Sequence, residues 1–152
     1  IRPEVMCDNV IMPDVAVKHA YLTTKRKFDF IVTLQPTSPL RDNIDIDRSI
    51  KDIINSKADS LISVFESKSF IWEKKKKYYS PINYDYNYRP RSQEIDFYTE
   101  NGAIQITKPK ILLKTNNRLG GNISVSIMSE HKSIDIDDYE DLKKAKLLAK
   151  NS

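Results

Sequence analysis

Two aspartates near the end of the chain have the spacing of a cation site. Asp135 and Asp137 lie two residues apart in the stretch SIDID at 133–137. In an extended segment, residues i and i+2 point the same way, so both carboxylates can face one cation while the isoleucines anchor in the core. Magnesium is often held by one or two protein carboxylates plus water and substrate phosphates. The structural alternative is that Asp137 and Glu140 form a helix cap with its capping-box partner. The spacing alone leaves both open.

A second candidate is the proline-stiffened loop LQPTSPLR at 34–41. The apolar run 30–34 predicts a buried strand, and Pro36 and Pro39 make the segment after it rigid. Ligands of open α/β sheets bind beyond the carboxyl ends of strands, where this loop places Gln35, two hydroxyls and Arg41. A turn in which Thr37 and Ser38 satisfy backbone groups is the alternative.

Two further stretches carry polar groups suited to a ligand. In RPRSQ at 89–93, an extended backbone puts Arg89 and Arg91 on one face, and the planar guanidinium is suited to a carboxylate or phosphate. Solvated arginines, or arginines stacked on nearby tyrosines, are the alternative. In ENGAI at 100–104, Asn101 precedes a strand that starts at Gly102, consistent with close approach of the backbone to another group. A simple turn into a strand is the alternative, and the residues of this stretch favour it.

Alternating helical and strand patterns predict the elements that position these residues. The order helix, strand, helix, strand, with short β-branched strands, favours a mostly parallel α/β sheet with flanking helices. At 152 residues, one domain over 1–152 is expected. The predicted helices are one capped by Asp14, one capped by Asp42 or Asn43 with an apolar stripe at Ile46, Ile50, Ile53 and Ile54, a short one at 109–114, and a last one at 138–150 opened by Asp137. The predicted strands are 30–34, 61–64, 102–107 and 123–128.

Regular patterning stops between residues 67 and 99. This segment is too long for an ordinary connection, so we expect it to contain a hairpin or a functional element. It includes an unbroken lysine run at 74–77 followed by several tyrosines. Basic residues beside aromatic ones can bind single-stranded nucleic acid. A hairpin whose tyrosines pack on a neighbouring subunit is the competing interpretation.

Composition excludes several classes of protein. Lysine and arginine exceed the acids by 25 to 21, an excess that permits an anionic partner without identifying one. Cys7 is the single cysteine, so no internal disulfide forms, and neither a zinc-site motif nor a glycine-rich phosphate loop is present. His19 and His131 have no catalytic signature. The absence of a long apolar run predicts a cytoplasmic protein, and the start at Ile1, with neither Met nor signal peptide, suggests that the chain begins within a longer protein.

The order of the motifs resembles one enzyme family. LQPTSPLR is followed by ADSLISV, FIW, RPRSQ, ENGAI, a GG before ISVSIM, and HKSIDID. This order resembles the CMP-sialic acid synthetases, also called acylneuraminate cytidylyltransferases, over nearly the whole chain. The resemblance implies a Rossmann-like nucleotidyltransferase fold truncated at its N-terminus. Family members start with a strand and a basic, glycine-containing loop that holds CTP, and nothing in this chain resembles that segment. We therefore expect this chain not to catalyse the reaction by itself.

The resemblance also implies a role for each candidate residue. Asp135 and Asp137 would bind the Mg²⁺ that accompanies CTP. Gln35 would contact the sugar, Arg91 would bind its carboxylate, and Asn101 would line the same pocket. The excursion at 67–99 would be the dimerisation arm of a homodimer, with the crossing part at 70–88.

The implied reaction transfers CMP from CTP to a sialic-acid-type nonulosonic acid and releases pyrophosphate, a step in the synthesis of surface polysaccharide. Two departures concern the sugar: Gln105 stands where many members have tyrosine, and Gln93 is separated from Arg91 by Ser92. LQPTSPLR favours the sialate and legionaminate branch over pseudaminate, without separating the first two. The alternatives are a cytidylyltransferase for another acidic sugar, such as legionaminate, and a non-enzymatic nucleic-acid-binding module.

Overall fold

A central four-stranded sheet organises the chain, whose computed structural model describes residues 12–150. The sheet order is β1-β5-β2-β6, and β3 and β4 form a separate two-stranded hairpin. The strands are β1 (Ile31–Leu34), β2 (Ser60–Ser67), β3 (Trp72–Lys75), β4 (Tyr78–Pro81), β5 (Phe97–Thr107) and β6 (Ile123–Ile127). The helices are α1 (Pro13–Thr24), α2 (Asn43–Ser56), α3 (Pro109–Thr115) and α4 (Tyr139–Ala149), with short 3₁₀ turns at Ser92–Glu94 and Glu130–Lys132.

The sheet is mixed, so the prediction of a mostly parallel sheet was wrong. β5 pairs antiparallel with both β1 and β2, and only β2 and β6 pair in parallel. The reason lies in the connection after β2. A parallel neighbour needs a crossover, usually a helix, whereas the excursion after Ser67 contains only the hairpin and a 3₁₀ turn and returns beside its starting point, with Phe97 opposite Ser67.

Helix α2 packs on the sheet and contributes Ile53 to the buried core. Its predicted apolar stripe is confirmed at Ile46, Ile50 and Ile53, which pack against β2 and β5, while Ile54 is more than half exposed. The buried cluster also contains Ala58, Leu61, Ala103, Ile104, Ile106 and Met128. Burying such side chains stabilises a fold by roughly 1.5–3 kcal/mol each, so this cluster holds α2 on the sheet.

The predicted N-terminal cap is confirmed for α2 but not for α1. Asp42 caps α2, and the reciprocal Asp45 contact completes a capping box. Helix α1 begins instead at Pro13, a residue pre-organised for the first helical position, and Asp14 lies buried in its first turn. There, Asp14 Oδ1 accepts from Arg118 N at 2.7 Å and Arg118 Nε at 2.9 Å, so its carboxylate is not available as a cap.

The cap of α4 bears directly on the predicted cation site. Asp138 caps the helix, because its Oδ1 accepts from Asp141 N at 2.9 Å. The prediction that Asp137 caps this helix with Glu140 as partner was therefore wrong by one residue. The Asp137 carboxylate has no capping role within the described residues.

The segment 67–99 contains the hairpin β3–β4, with Ser67 still part of β2 and Phe97–Thr99 already part of β5. Asn83 closes the base of the hairpin: its Oδ1 accepts from Ile71 N, and its Nδ2 donates to Ser69 O. Trp72, Tyr78 and Tyr79 stand about half or more exposed. No helix within residues 12–150 is long and apolar enough to cross a membrane.

The outer edge of β1 is unpaired within residues 12–150. This strand contains no charged residue or proline, the features with which proteins usually protect a sheet edge. Val32 and Leu34 are 39% and 38% exposed, beside an apolar cavity of about 460 Å³. Its lining includes Val17, Ala20, Tyr21 and Phe30. The edge is therefore available for pairing with another strand.

A charge on this edge should reduce self-association of the chain. We expect Val32→Lys to suppress concentration-dependent aggregation, because an edge lysine opposes strand pairing, while stability changes by only about 0.5 kcal/mol, as for most surface substitutions. Light scattering against concentration measures the effect. The control is Leu147→Lys on α4, which is also exposed but lies outside the sheet. Equal suppression by both variants would assign the effect to net charge rather than to β1.

Candidate functional site

The loop after β1 is braced by its own arginine. Arg41 Nη1 donates to the carbonyl of Gln35, to Ser38 O at 2.9 Å and, more weakly, to Ala103 O at 3.4 Å on β5. Gln35 N also donates to Ala103 O at 3.4 Å, extending the β1–β5 pairing into the loop. One guanidinium nitrogen therefore fixes the loop that carries Gln35. From sequence, this guanidinium was only one of several groups that could face a ligand.

The segment that carries Asp135 and Asp137 docks on this loop. Ile136 N donates to Thr37 O at 2.9 Å, joining two segments about one hundred residues apart in sequence. Ile134 and Ile136 are half-buried, whereas Asp135 and Asp137 are exposed, the alternation expected of an extended segment. The fold thus places both carboxylates on the solvent side, next to the loop of Gln35.

Asn101 connects the same segment to the sheet. Its Nδ2 donates to Ser133 Oγ at 2.8 Å, and its Oδ1 accepts from Ser63 Oγ at 2.5 Å and Ala103 N at 3.2 Å. The residue is only 5% exposed, and both ends of its amide are already engaged. The contacts show Asn101 as a buried connector, and its predicted place in the lining of a sugar pocket remains a prediction.

Gly102 lies directly beside Asp135. Its φ is +66°, a conformation that side-chain-bearing residues rarely adopt, and a Cβ added there would lie 3.8 Å from Asp135 Oδ2. A separation of 3.8 Å is an ordinary van der Waals contact, so the positive φ, and not a lack of space, is what favours glycine here. The prediction that Gly102 marks close approach of the backbone to another group stays a prediction.

Charge pairing distinguishes two groups of aspartates near the site. Asp42 and Asp45 are neutralised by Lys132, and Asp45 also by Arg48. The hydrogen bond from Lys132 is the main reason that the pKa of Asp42 falls to about 2. In contrast, none of the ion pairs within residues 12–150 includes Asp135 or Asp137.

The two aspartates suit a cation that takes its remaining ligands from water and substrate rather than from protein side chains. Within the described residues, no group of three or more His, Cys, Asp or Glu side chains could enclose a metal. Two exposed, unpaired carboxylates that emerge on one side of an extended segment suit Mg²⁺, which takes one or two protein carboxylates and retains water and phosphate ligands. They do not suit a structural zinc site, which needs four protein ligands, usually Cys or His.

The two arginines of RPRSQ have different surroundings. The Arg89 guanidinium stacks over Phe70, 4.4 Å from the ring centroid, and lies 5.9 Å from that of Tyr84 at the base of the hairpin. Arg91 is exposed, and its backbone N–H donates to Glu94 Oε2. Arg91 makes no hydrogen bond or ion pair with Gln35, Asn101 or the two aspartates in the part of the chain described. Its guanidinium nonetheless remains free for an anion.

Two buried polar atoms near the site lack partners within residues 12–150: Ser38 Oγ and Gln105 Oε1. Gln105 lies opposite Thr33 on β1 and Ile62 on β2, and it is 8% exposed. A buried polar atom left unpaired costs about 1–3 kcal/mol, so such atoms mark places where a bound molecule can supply a hydrogen bond. From sequence, Gln105 was notable only as a departure from the family pattern, because burial cannot be read from its residue type.

Comparisons with known proteins show which proteins this chain is similar to. No family model matches the chain. It is 25% identical over 135 residues to post-translational flagellin modification protein B of Campylobacter coli, covering 83% of this chain and 55% of that protein. It is 29% identical over 150 residues to N-acylneuraminate cytidylyltransferase of Escherichia coli, covering 95% of this chain and 35% of that protein. The chain thus spans between about a third and just over half of these relatives.

Among solved structures, the fold is similar to 4-diphosphocytidyl-2C-methyl-D-erythritol synthase from Anaerococcus prevotii. The TM-score is 0.59 at 13% identity, covering 90% of this chain and 66% of that structure. At this identity the likeness concerns the fold alone, and it agrees with a mixed sheet flanked by helices. The chain is therefore a distant homologue of N-acylneuraminate cytidylyltransferase and of flagellin modification protein B, built on a nucleotidyltransferase fold.

Proposed function

We propose that this chain forms the part of a cytidylyltransferase that binds the sugar and the metal ion. The enzyme transfers CMP from CTP to a sialic-acid-type sugar and releases pyrophosphate. One observation carries the proposal: three segments distant in sequence meet beyond the carboxyl end of β1. The hydrogen bond from Ile136 N to Thr37 O joins the stretch 133–137 to the loop after β1. The bond from Asn101 Nδ2 to Ser133 Oγ joins the same stretch to β5. Distant homology to an N-acylneuraminate cytidylyltransferase supports the same reaction class.

The reaction forms a bond between the anomeric oxygen of the sugar and the α-phosphorus of CTP while the bond to pyrophosphate breaks. Negative charge grows on the phosphate oxygens during this displacement, and Mg²⁺ held by Asp135 and Asp137 would supply the compensating charge. Gln35 offers an amide to the sugar from a loop fixed by Arg41. The exposed guanidinium of Arg91 is suited to pair with the sugar carboxylate.

Loss of either aspartate should reduce turnover. In an active protein that contains this chain, we expect Asp135→Asn and Asp137→Asn each to lower kcat on the order of a hundredfold, comparable to removing one group that stabilises developing charge. Pyrophosphate release from CTP with N-acetylneuraminate, and with legionaminate as the competing sugar, measures the effect. Asp138→Asn is the matched control, since it changes the same charge one residue away and asparagine still caps α4. Wild-type turnover in both variants at saturating Mg²⁺ would refute the cation role.

The two arginines provide an internally controlled test of carboxylate binding. We expect Arg91→Ala to weaken sugar binding by about 10–100-fold, corresponding to a lost charge-assisted hydrogen bond of roughly 1.5–3 kcal/mol. Arg89→Ala should instead loosen the base of the hairpin, where Arg89 stacks on Phe70, and leave sugar affinity near that of the wild type. Calorimetric titration with the sugar measures both. Unchanged affinity in the Arg91 variant would remove this residue from the site.

The hairpin is the proposed contact surface of a homodimer. Trp72, Tyr78 and Tyr79 are 49%, 67% and 63% exposed, and large amphipathic side chains of this kind commonly anchor interfaces. We expect a dimer by light scattering at tens of micromolar, on the order of ordinary interface affinities, and a shift towards monomer in Trp72→Ala combined with Tyr79→Ala. Tyr139→Ala, which truncates an equally exposed tyrosine on α4, is the control.

A wild-type monomer at that concentration would contradict the dimer. The lysine run beside these tyrosines gives a second outcome to look for in the same samples. Single-stranded nucleic acid that binds tightly at low salt and weakens by orders of magnitude as salt rises would assign the hairpin to nucleic acid instead.

A further inference from the structure

We propose that Lys132 is a positioning residue whose ion pairs to the start of α2 hold the segment 129–137, and with it Asp135 and Asp137, beside the loop of Gln35. The inference deepens the proposed function, because it takes the two aspartates as the cation ligands of that reaction.

The contacts of Lys132 bridge two otherwise separate parts of the chain. Lys132 Nζ lies 2.6 Å from Asp42 Oδ2 and 3.1 Å from Asp45 Oδ2. These are the two residues of the α2 capping box, and α2 begins two residues after Arg41. One ammonium group therefore links the segment of the aspartates to the helix that follows the Gln35 loop.

Burial makes this link stronger than an ordinary surface ion pair. The side chain of Asp45 is 1% exposed and that of Lys132 is 23% exposed. Exposed ion pairs contribute little, but removal of one partner from a buried carboxylate leaves a charge without sufficient compensation. Arg48 also pairs with Asp45, at 2.7 Å, yet both residues belong to α2. Arg48 Nη1 reaches only Ile127 O, at the end of β6.

The attachments of the segment to the β1 loop and to β5 are neutral hydrogen bonds, and Asp137 N also donates, at 3.4 Å, to Asp141 Oδ2 on α4. Asn101 Nδ2 donates to Ser133 Oγ, and Ile136 N donates to Thr37 O. Among the ion pairs within residues 12–150, those of Lys132 alone involve the segment 129–137. A hydrogen bond between two charged groups is stronger than one between neutral groups, and Lys132 makes two of them at 2.6 and 3.1 Å, so Lys132 is the strongest single tether.

Positioning and simple electrostatics predict effects of opposite sign. Lys132→Met removes a positive charge three residues from Asp135. If only Coulomb forces mattered, the loss of repulsion between Lys132 and a bound divalent cation would make cation binding tighter. If Lys132 positions the aspartates, the same substitution makes binding weaker, because the carboxylates no longer share one geometry. The sign of the change therefore separates the two explanations.

The first experiment measures docking of the segment without any metal. Hydrogen exchange of the Ile136 amide, followed by NMR on this chain, reports its bond to Thr37 O. We expect Lys132→Met to accelerate that exchange about tenfold while the Ile106 amide in the core strand β5 is unaffected. Arg48→Met removes the other cation of Asp45 and should not have this effect, and Lys132→Arg should restore protection. Wild-type exchange at Ile136 in Lys132→Met would overturn the proposal.

If the buried Asp45 carboxylate, left with Arg48 alone, prevents the single variant from folding, Lys132→Met combined with Asp45→Asn gives the same test. This double variant removes the buried charge together with its partner while Asp42 and Arg48 remain in place. The expected result is again faster exchange of the Ile136 amide. Exchange at the wild-type rate would again overturn the proposal.

The second experiment uses Mn²⁺ alone as the probe, followed by paramagnetic broadening of the amide signals around Asp135. We expect affinity about tenfold lower in Lys132→Met, the usual effect of losing a group that orients metal ligands. Equal or tighter binding there, with binding abolished by Asp135→Asn and Asp137→Asn together, would overturn the positioning role and leave the proposed function intact. Broadening that persists in the double Asn variant would count against the proposed function instead, and Ile136 exchange would still decide the role of Lys132.

Discussion

Strand β5 is hydrogen-bonded antiparallel to β1 on one side and to β2 on the other, and this double pairing determines the arrangement of both the core and the candidate site. Its second half pairs with β1 on one side and with β2 on the other. Ala103, Ile104 and Ile106 are fully buried there. Just before them, where β1 ends and its loop begins, the strand carries Asn101 and Gly102. Asn101 and Gly102, which lie beside the candidate site, therefore belong to a strand that is paired on both sides.

The acidic side chains differ in their partners: several form ion pairs within the fold, whereas Asp135 and Asp137 form none among the described residues. Asp14 is paired with Arg118, and Asp59 with Lys110 and Lys108, whose hydrogen bonds keep the pKa of Asp59 well below its usual value. Such carboxylates are already committed to holding loops and helices together. Asp135 and Asp137 face solvent without a cationic partner among the described residues. This unused negative charge is what makes their segment suited to an added cation.

The sequence predicted local elements well, because each depends on nearby residues. Three of the four isoleucines predicted for the α2 stripe pack on the core, and Asp42, one of two residues predicted as its cap, caps the helix. The direction of β5 did not, since strand pairing depends on how a long excursion returns, which no local pattern encodes. The Asp14 cap failed for a similar reason: Arg118, more than one hundred residues away, binds its carboxylate.

The exposure of the two candidate aspartates was easier to predict than the contacts that hold their segment. Spacing indicated that Asp135 and Asp137 emerge on one side, and the exposure of the segment agrees. The tethers through Lys132, Asn101 and Arg41 were not foreseen, because a lysine or an asparagine in a loop shows nothing in sequence of the partner it reaches. The different surroundings of Arg89 and Arg91 were also invisible until the aromatic side chains of the hairpin base were placed.

The pairing of Ser67 with Phe97 has a consequence for how this protein can vary. The chain leaves the sheet and re-enters it at adjacent positions, so everything between them is a closed appendage whose ends are already fixed by the ladder of β2 and β5. Lengthening, shortening or exchanging that appendage need not move the sheet, because loop closure grows more costly only slowly with length. A change in that appendage can thus give the protein a different outer surface while the geometry around Asn101 and Gly102 stays the same.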